Sequence, residues 1–191
     1  MDMPQIIEDE EIILEIPQVA SKKLAQELLT EVKDSMELLK PWLPWATDSY
    51  SMKNEMSFLK KQCIRRYNDK SGYAYLIRDK KTHKFCGVID IVRIEEDAKV
   101  GEIGYWLTKS AQGKGYMTKA VLLLEKTAFE NGFNRMEIRN EPENVKSVNV
   151  PKRAGYRLDG VLRQNRWNPY YKRFVDTNVW SKLKSDLNNC L

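Results

Sequence analysis

The chain has 191 residues, 42% of them hydrophobic and 31% charged, with a net charge of +5. That length suits one domain, residues 1–191, able to bury a sizeable core, and the balance is that of a soluble globular protein rather than a disordered or fibrous one. No apolar run approaches the roughly eighteen residues of a membrane span, and no block of about five or six like charges marks a nucleic-acid-binding tail.

The first residues carry Asp2, Glu8, Asp9, Glu10 and Glu11 and no long apolar core, which argues against a secretory signal and for a cytoplasmic protein. Residues 11–16 form a short apolar run that predicts a first strand. Leu24, Leu28, Leu29 and Val32 then have helical spacing, continued by 36–40 and stopped at Pro41. Pro41-Trp42-Leu43-Pro44-Trp45 is rigid and aromatic. Residues 50–67 predict another helix, with Met52, Met56, Leu59 and Cys63 on one core-facing stripe.

From Gly72 the period changes to two. Residues 73–77 and 85–94 predict a hairpin across the polar turn at 80–84, and a second turn at 95–99 leads into a strand at 102–107. The following helix carries Met117, Val121, Leu124 and Ala128 on one face and stops at Asn131-Gly132. Residues 135–139 predict a strand, 144–154 a shorter helix closed by Gly155, and 156–163 and 172–183 two further strands. There is no internal repeat. The order is strand, helices, three meander strands, helix, strand, helix, two strands. It defines an α+β fold of mixed α/β layers, with a mostly antiparallel twisted sheet and one crossover helix near its middle.

Glu102-Ile103-Gly104-Tyr105-Trp106-Leu107, followed by Gln112-Gly113-Lys114-Gly115-Tyr116-Met117, carries the most chemistry. It reads strand, glycine-rich loop, helix. Two glycines at a helix entrance aim several N–H groups at one place beside the positive end of the helix dipole, which suits a phosphate-bearing ligand. The spacing is neither a mononucleotide P-loop nor a dinucleotide fingerprint. Cys63, Cys86 and Cys190 are widely spaced with no Cys-x-x-Cys, which points away from a disulfide framework and from a metal site. His83, the one histidine, falls in a turn, so a nucleophile–histidine mechanism has little to rest on.

Gln-x-x-Gly-x-(Gly/Ala) is the pyrophosphate signature of the GNAT N-acetyltransferases. Gln112, Gly115 and Met117 fall on its three positions, the last as a departure. Four further segments resemble the RimJ/RimL-type branch: Trp42-Leu43-Pro44-Trp45; the 102–107 strand; Asn144-Val145-Lys146-Ser147 followed by Arg153-Ala154-Gly155-Tyr156-Arg157-Leu158-Asp159-Gly160; and Asp176-Thr177-Asn178-Val179-Trp180. The resemblance covers nearly the whole chain. It implies the GNAT acyl-CoA N-acyltransferase fold and acetyl-CoA as co-substrate. The pyrophosphate would lie on N–H groups of Gln112, Gly113, Lys114, Gly115, Tyr116, Met117 and Thr118. The pantetheine arm would run along the strand near Trp106 and Leu107, as a strand added to an open edge, and would take a hydrogen bond from Asn144. Asn144 is equally able to cap its own helix.

Direct attack of an amine on the thioester needs a base, oxyanion donors and an acid for the leaving thiolate. The resemblance makes Ser147 that acid, since the position often held by a tyrosine is Pro151. Pro151 also removes the N–H that would bond the Ser147 carbonyl, so the turn there is expected to loosen and tilt the hydroxyl. The glutamate of related enzymes falls on Arg166, which cannot accept a proton; Arg166 could instead bind an acidic substrate. Glu102 becomes the candidate base, unless it faces away and only forms an ion pair, with Asp90 a third choice. The acceptor implied is a protein N-terminal amine, ribosomal-protein-like. The alternatives are a small amine such as a polyamine, amino acid or antibiotic, or a coenzyme A-binding protein without catalysis. No direct nucleic acid, membrane or metal partner is expected, and the chain would be a monomer or homodimer.

Overall fold

The computed structural model describes residues 1–189. Eight strands form one sheet in the order β1-β2-β3-β4-β5-β6-β8-β7. They are β1 Ile6–Glu8, β2 Ile12–Glu15, β3 Tyr73–Asp79, β4 Phe85–Glu95, β5 Val100–Leu107, β6 Arg135–Asn140, β7 Arg157–Asn168 and β8 Arg173–Leu183. Five α-helical segments accompany them: α1 Lys22–Leu39, α2 Met52–Phe58, α3 Arg66–Asn68, α4 Tyr116–Glu130 and α5 Val145–Arg153. Every strand pair is antiparallel except β5 with β6, which α4 connects as the crossover. The mixed α+β architecture read from the sequence is the one observed.

Residues 73–77 of β3 are fully buried, as a central strand covered on both faces requires. α1 starts at Ser21, whose hydroxyl accepts the Leu24 N–H at 3.1 Å. It buries Ala25, Leu28, Leu29 and Val32 and closes at Leu39, just before Pro41. α4 buries Met117, Val121, Leu124 and Ala128, the face its spacing predicts. Side chains alternate along β5. Tyr105 meets α5, whereas Trp106 packs on the small cluster of Val32, Met36, Leu39 and Ala46, so α5 and α1 cover opposite faces of the sheet.

Three features differ from the sequence reading. β1 precedes the predicted first strand and pairs Ile6 with Glu15; three residues flanked by acids carry too little alternation to announce it. The 50–67 helix is interrupted by a π-helix at Leu59–Arg65, with Leu59 and Cys63 fully buried. β7 runs on to Asn168, because its ladder with β8 resumes at Arg166 after an irregular stretch. Cys63 and Cys86 are buried free thiols, and Cys190 lies outside the described residues. Among the described residues, no helix is long and apolar enough to cross a membrane.

Candidate active site

The parallel ladder between β5 and β6 covers only Val100–Ile103 against Arg135–Ile138. β5 nevertheless continues beside β4 to Leu107, and β6 beside β8 to Asn140. The two strands therefore part after Ile103 and Ile138. Residues 104–107 are left with no strand on one side, and their backbone groups on that edge face a wedge-shaped gap. Trp106 and Leu107, both partly exposed, line it. A hydrogen-bonding chain of amides would complete such an edge.

The glycine loop opens at the end of this strand. A 3-10 turn, Lys109–Ala111, leads to Gln112; Gly113 and Gly115 then take φ +77° and +80°, left-handed values that glycine adopts without strain. A Cβ at either glycine would meet nothing within 4 Å, so the loop is an open concavity. The first internal bond of α4 is Lys119 N–H to the Gly115 carbonyl at 3.2 Å, which leaves the preceding N–H groups for a ligand. Met117 is 5% exposed and packs inward, so its bulk is spent in the core rather than in the concavity. Gln112 accepts from Lys146 Nζ at 2.7 Å, and Thr118 Oγ1 accepts from Arg153 Nε at 3.1 Å. Two basic residues of α5, given no role in the sequence reading, thus flank the loop. Lys114 projects over the Tyr116 ring at 5.9 Å, and the Tyr116 hydroxyl donates to Asp79 at 2.5 Å.

α5 forms the gap's other wall. Asn144 caps it, its Oδ1 accepting the Ser147 N–H at 3.2 Å, which leaves its amide NH2 for another partner. Pro151 does free the Ser147 carbonyl, but the turn does not loosen. That carbonyl accepts from the Tyr105 hydroxyl at 3.0 Å and from Asn140 Nδ2 at 3.3 Å, and the Ser147 hydroxyl donates to Tyr105 Oη at 3.3 Å. Burial pushes the Tyr105 phenol up to about 12, against the pull of its Ser147 and Asn140 hydrogen bonds, so it is a held proton donor at neutral pH. Tyr105 was legible only as a strand residue.

On the opposite face, Glu102 lies between Arg93 Nη2 at 3.4 Å and Arg139 Nε at 3.5 Å. Asp90 pairs in register with Gly104, next to Glu102. Burial and the Glu102 charge push its carboxyl up to about 7, while Arg66 and the Gly104 backbone pull it down. Glu55 of α2, 2% exposed, is likewise raised to about 7 by burial, with the Tyr50 hydroxyl opposing. Arg166 is ion-paired with the buried Glu141 at the end of β6, so its charge is answered inside the chain rather than offered to a substrate. Asn168 Nδ2 also donates to Glu141, at 3.0 and 3.2 Å, and to the Pro41 carbonyl at 2.9 Å. This strap joins β6, β7 and the 41–45 segment into one wall. Exposed His83 plays no part in the site.

The GNAT acetyltransferase domain model matches residues 16–157, and the chain belongs to that family. Its relatives include the ribosomal-protein-serine acetyltransferase of Escherichia coli (strain K12), 34% identical over 59% of this chain and 62% of that protein. The chain thus matches a little under two thirds of that relative. The putative ribosomal N-acetyltransferase YdaF of Bacillus subtilis (strain 168) is 32% identical over 74% of this chain and 76% of that one. Among solved structures, the microcin self-immunity acetyltransferase MccE in complex with acetyl-CoA and AMP superposes with a TM-score of 0.83 at 27% identity, over 92% of this chain and 93% of that chain. RimL, a ribosomal alpha-N-protein acetyltransferase in complex with coenzyme A, gives a TM-score of 0.83 at 23% identity over 93% and 97%, a likeness of fold.

Proposed function

We propose that the chain is an acetyl-CoA-dependent N-acetyltransferase whose acceptor is a protein N-terminal α-amine of the ribosomal-protein type. The observation that carries the reaction is the parting of β5 from β6 beside the open Gly113–Gly115 concavity. The acceptor class rests on the Escherichia coli and Bacillus subtilis relatives, both named for ribosomal acceptors.

In this reading the N–H groups from Gly113 to Thr118 hold the diphosphate, with Gln112, Lys114 and Lys146 keeping the loop in place and basic. The open edge of 104–107 takes the amide arm, Asn144 adds its side-chain NH2, and a backbone N–H near Trp106 stabilises the oxyanion. Acetyl-CoA supplies an activated acyl thioester. The chain's own residues orient it and supply protons: Ser147, with Tyr105 behind it, protonates the departing sulfur. The Ser147 hydroxyl donates to Tyr105 and the Tyr105 hydroxyl to the Ser147 carbonyl, so once Ser147 turns its proton to the sulfur, Tyr105 swings its own to the Ser147 oxygen and replaces it.

Thiol release from acetyl-CoA tests this across N-terminal peptides, acidic ribosomal stalk protein, polyamines and amino acids. Turnover on protein and peptide N-termini is expected. Turnover confined to small amines overturns the acceptor assignment. Ser147→Ala and Tyr105→Phe are each expected to lower kcat by about 10- to 100-fold, with coenzyme A affinity nearly unchanged. Full turnover in Ser147→Ala removes Ser147 from the mechanism.

A further inference from the structure

The parted half of β5 divides its chemistry between the two faces of the sheet. Tyr105 turns to α5, where Ser147 waits. Gly104 and Trp106 turn the other way, toward Trp45 and the segment after α1; the Trp45 and Trp106 ring centroids are 5.6 Å apart. Gly104 is the first residue of β5 beyond the β6 ladder. A Cβ built on it would lie 2.6 Å from Asp90 Oδ1. The Asp90 carboxylate therefore covers the bare α-carbon of Gly104, at the closed end of the gap and on the face opposite the proposed acid.

Resting on the acetyltransferase reading, we propose that Asp90 is the catalytic base, taking a proton from the acceptor ammonium at the closed end of the gap, and that Glu102 is not. Glu102 carries two guanidinium neighbours, Arg93 and Arg139, so its carboxylate is engaged in ion pairs rather than turned to an acceptor. No ion pair forms on Asp90 among the described residues. The groups facing it are Arg66 of α3, Glu102 of β5 and Cys63 of the π-helix, with Glu55 of α2 behind Cys63. Arg66 spends its guanidinium on carbonyls: Ile91 at 3.1 Å, Val92 at 2.7 Å and Ser71 at 3.3 Å. The π-helix brings Cys63 and Arg66 to this spot, a use for which such irregular turns are often kept. A second buried acid, Glu55, lies deeper on the same face, met by the Tyr50 hydroxyl and with its Oε2 left without a partner.

The protons balance. The acceptor ammonium gives one proton to Asp90, which passes it to solvent. The freed lone pair forms the C–N bond; as the C–S bond breaks, Asp90 takes the second nitrogen proton, Ser147 gives one to sulfur and regains one from solvent, and the net release is one proton. The base titrates close to neutrality, where general-base catalysis is most effective.

The test is the pH profile of kcat/KM on an N-terminal peptide for wild type, Asp90→Asn, Gly104→Ala and Glu102→Gln. Wild type is expected to lose activity below a midpoint near pH 7. Asp90→Asn should lower kcat/KM by about 100-fold or more and abolish that limb. Its coenzyme A affinity should hold and its Tm should hold or rise, because a poorly solvated charge has been removed. Gly104→Ala, which pushes the carboxylate aside, should shift the limb. Glu102→Gln should keep it. A limb that persists in Asp90→Asn, or vanishes in Glu102→Gln, overturns the assignment while the acetyltransferase reading stands. Coenzyme A binding with no wild-type turnover on any amine overturns both.

Discussion

Gly115→Val is expected to weaken coenzyme A binding by about 30-fold or more, the energy of a few lost charge-assisted N–H bonds. Gly115 is the N-cap of α4 at φ +80°, where a β-branched residue costs roughly 1–2 kcal/mol. The side chain would meet no protein atom, so it would occupy the ligand's side of the loop. Stability and affinity can be separated with Gly132→Ala at the other end of the same helix, also left-handed at φ +99°. Both variants should lose a few degrees of Tm, and only Gly115→Val should lose affinity by calorimetry. Equal affinities in the two would mean that the loop does not hold the diphosphate.

Lys182→Met is expected to destabilise the fold by about 3–5 kcal/mol, the usual cost of stranding a buried charge. Lys182 Nζ pairs with Glu125 of α4, which is 2% exposed, and donates to the Ala154 carbonyl at 2.9 Å. Burial already raises the Glu125 carboxyl, while Lys182 and the Tyr156 hydroxyl lower it, and Glu125 Oε2 has no partner of its own. Without Lys182 that carboxyl rises further, so the loss should be larger at pH 8 than at pH 5, where Glu125 can take a proton. Lys182→Met with Glu125→Leu should recover most of the loss in denaturant titrations. If the double variant is as unstable as the single one, the pair's contribution is packing rather than charge.

Periodicity carried much of the fold. The α4 face and the Met136–Ile138 alternation are both buried in the structure, because each obeys a period set by its own backbone. What the period could not carry is made by partners distant in sequence. β7 was legible to residue 163; beyond that its side chains stay exposed, and its ladder with β8 alone carries it to Asn168. The π-helix is a change of hydrogen-bond register that a stripe such as Met52, Met56, Leu59, Cys63 does not record. In the site, the loss of an N–H at Pro151 was legible, but not its consequence, since the new donors Tyr105 and Asn140 come from two other strands. The charge on Arg166 was legible, and Glu141 as its answer was not. The Asp90–Gly104 contact is a cross-strand register, and no local pattern encodes it.

The open edge of β5 has a physiological corollary. Two strands that separate halfway leave part of the sheet without its full set of lateral bonds, and the bound co-substrate would supply them. Heat tolerance would then follow the supply of acetyl donor, by about 2.7 kcal/mol at a hundredfold excess over Kd. Amide exchange at residues 104–107 would be quick in starved cells and slow in fed ones. A lapse in central metabolism would reach this enzyme first as a softening of its middle, making its turnover by proteases, as well as its catalytic rate, a gauge of acyl-donor supply.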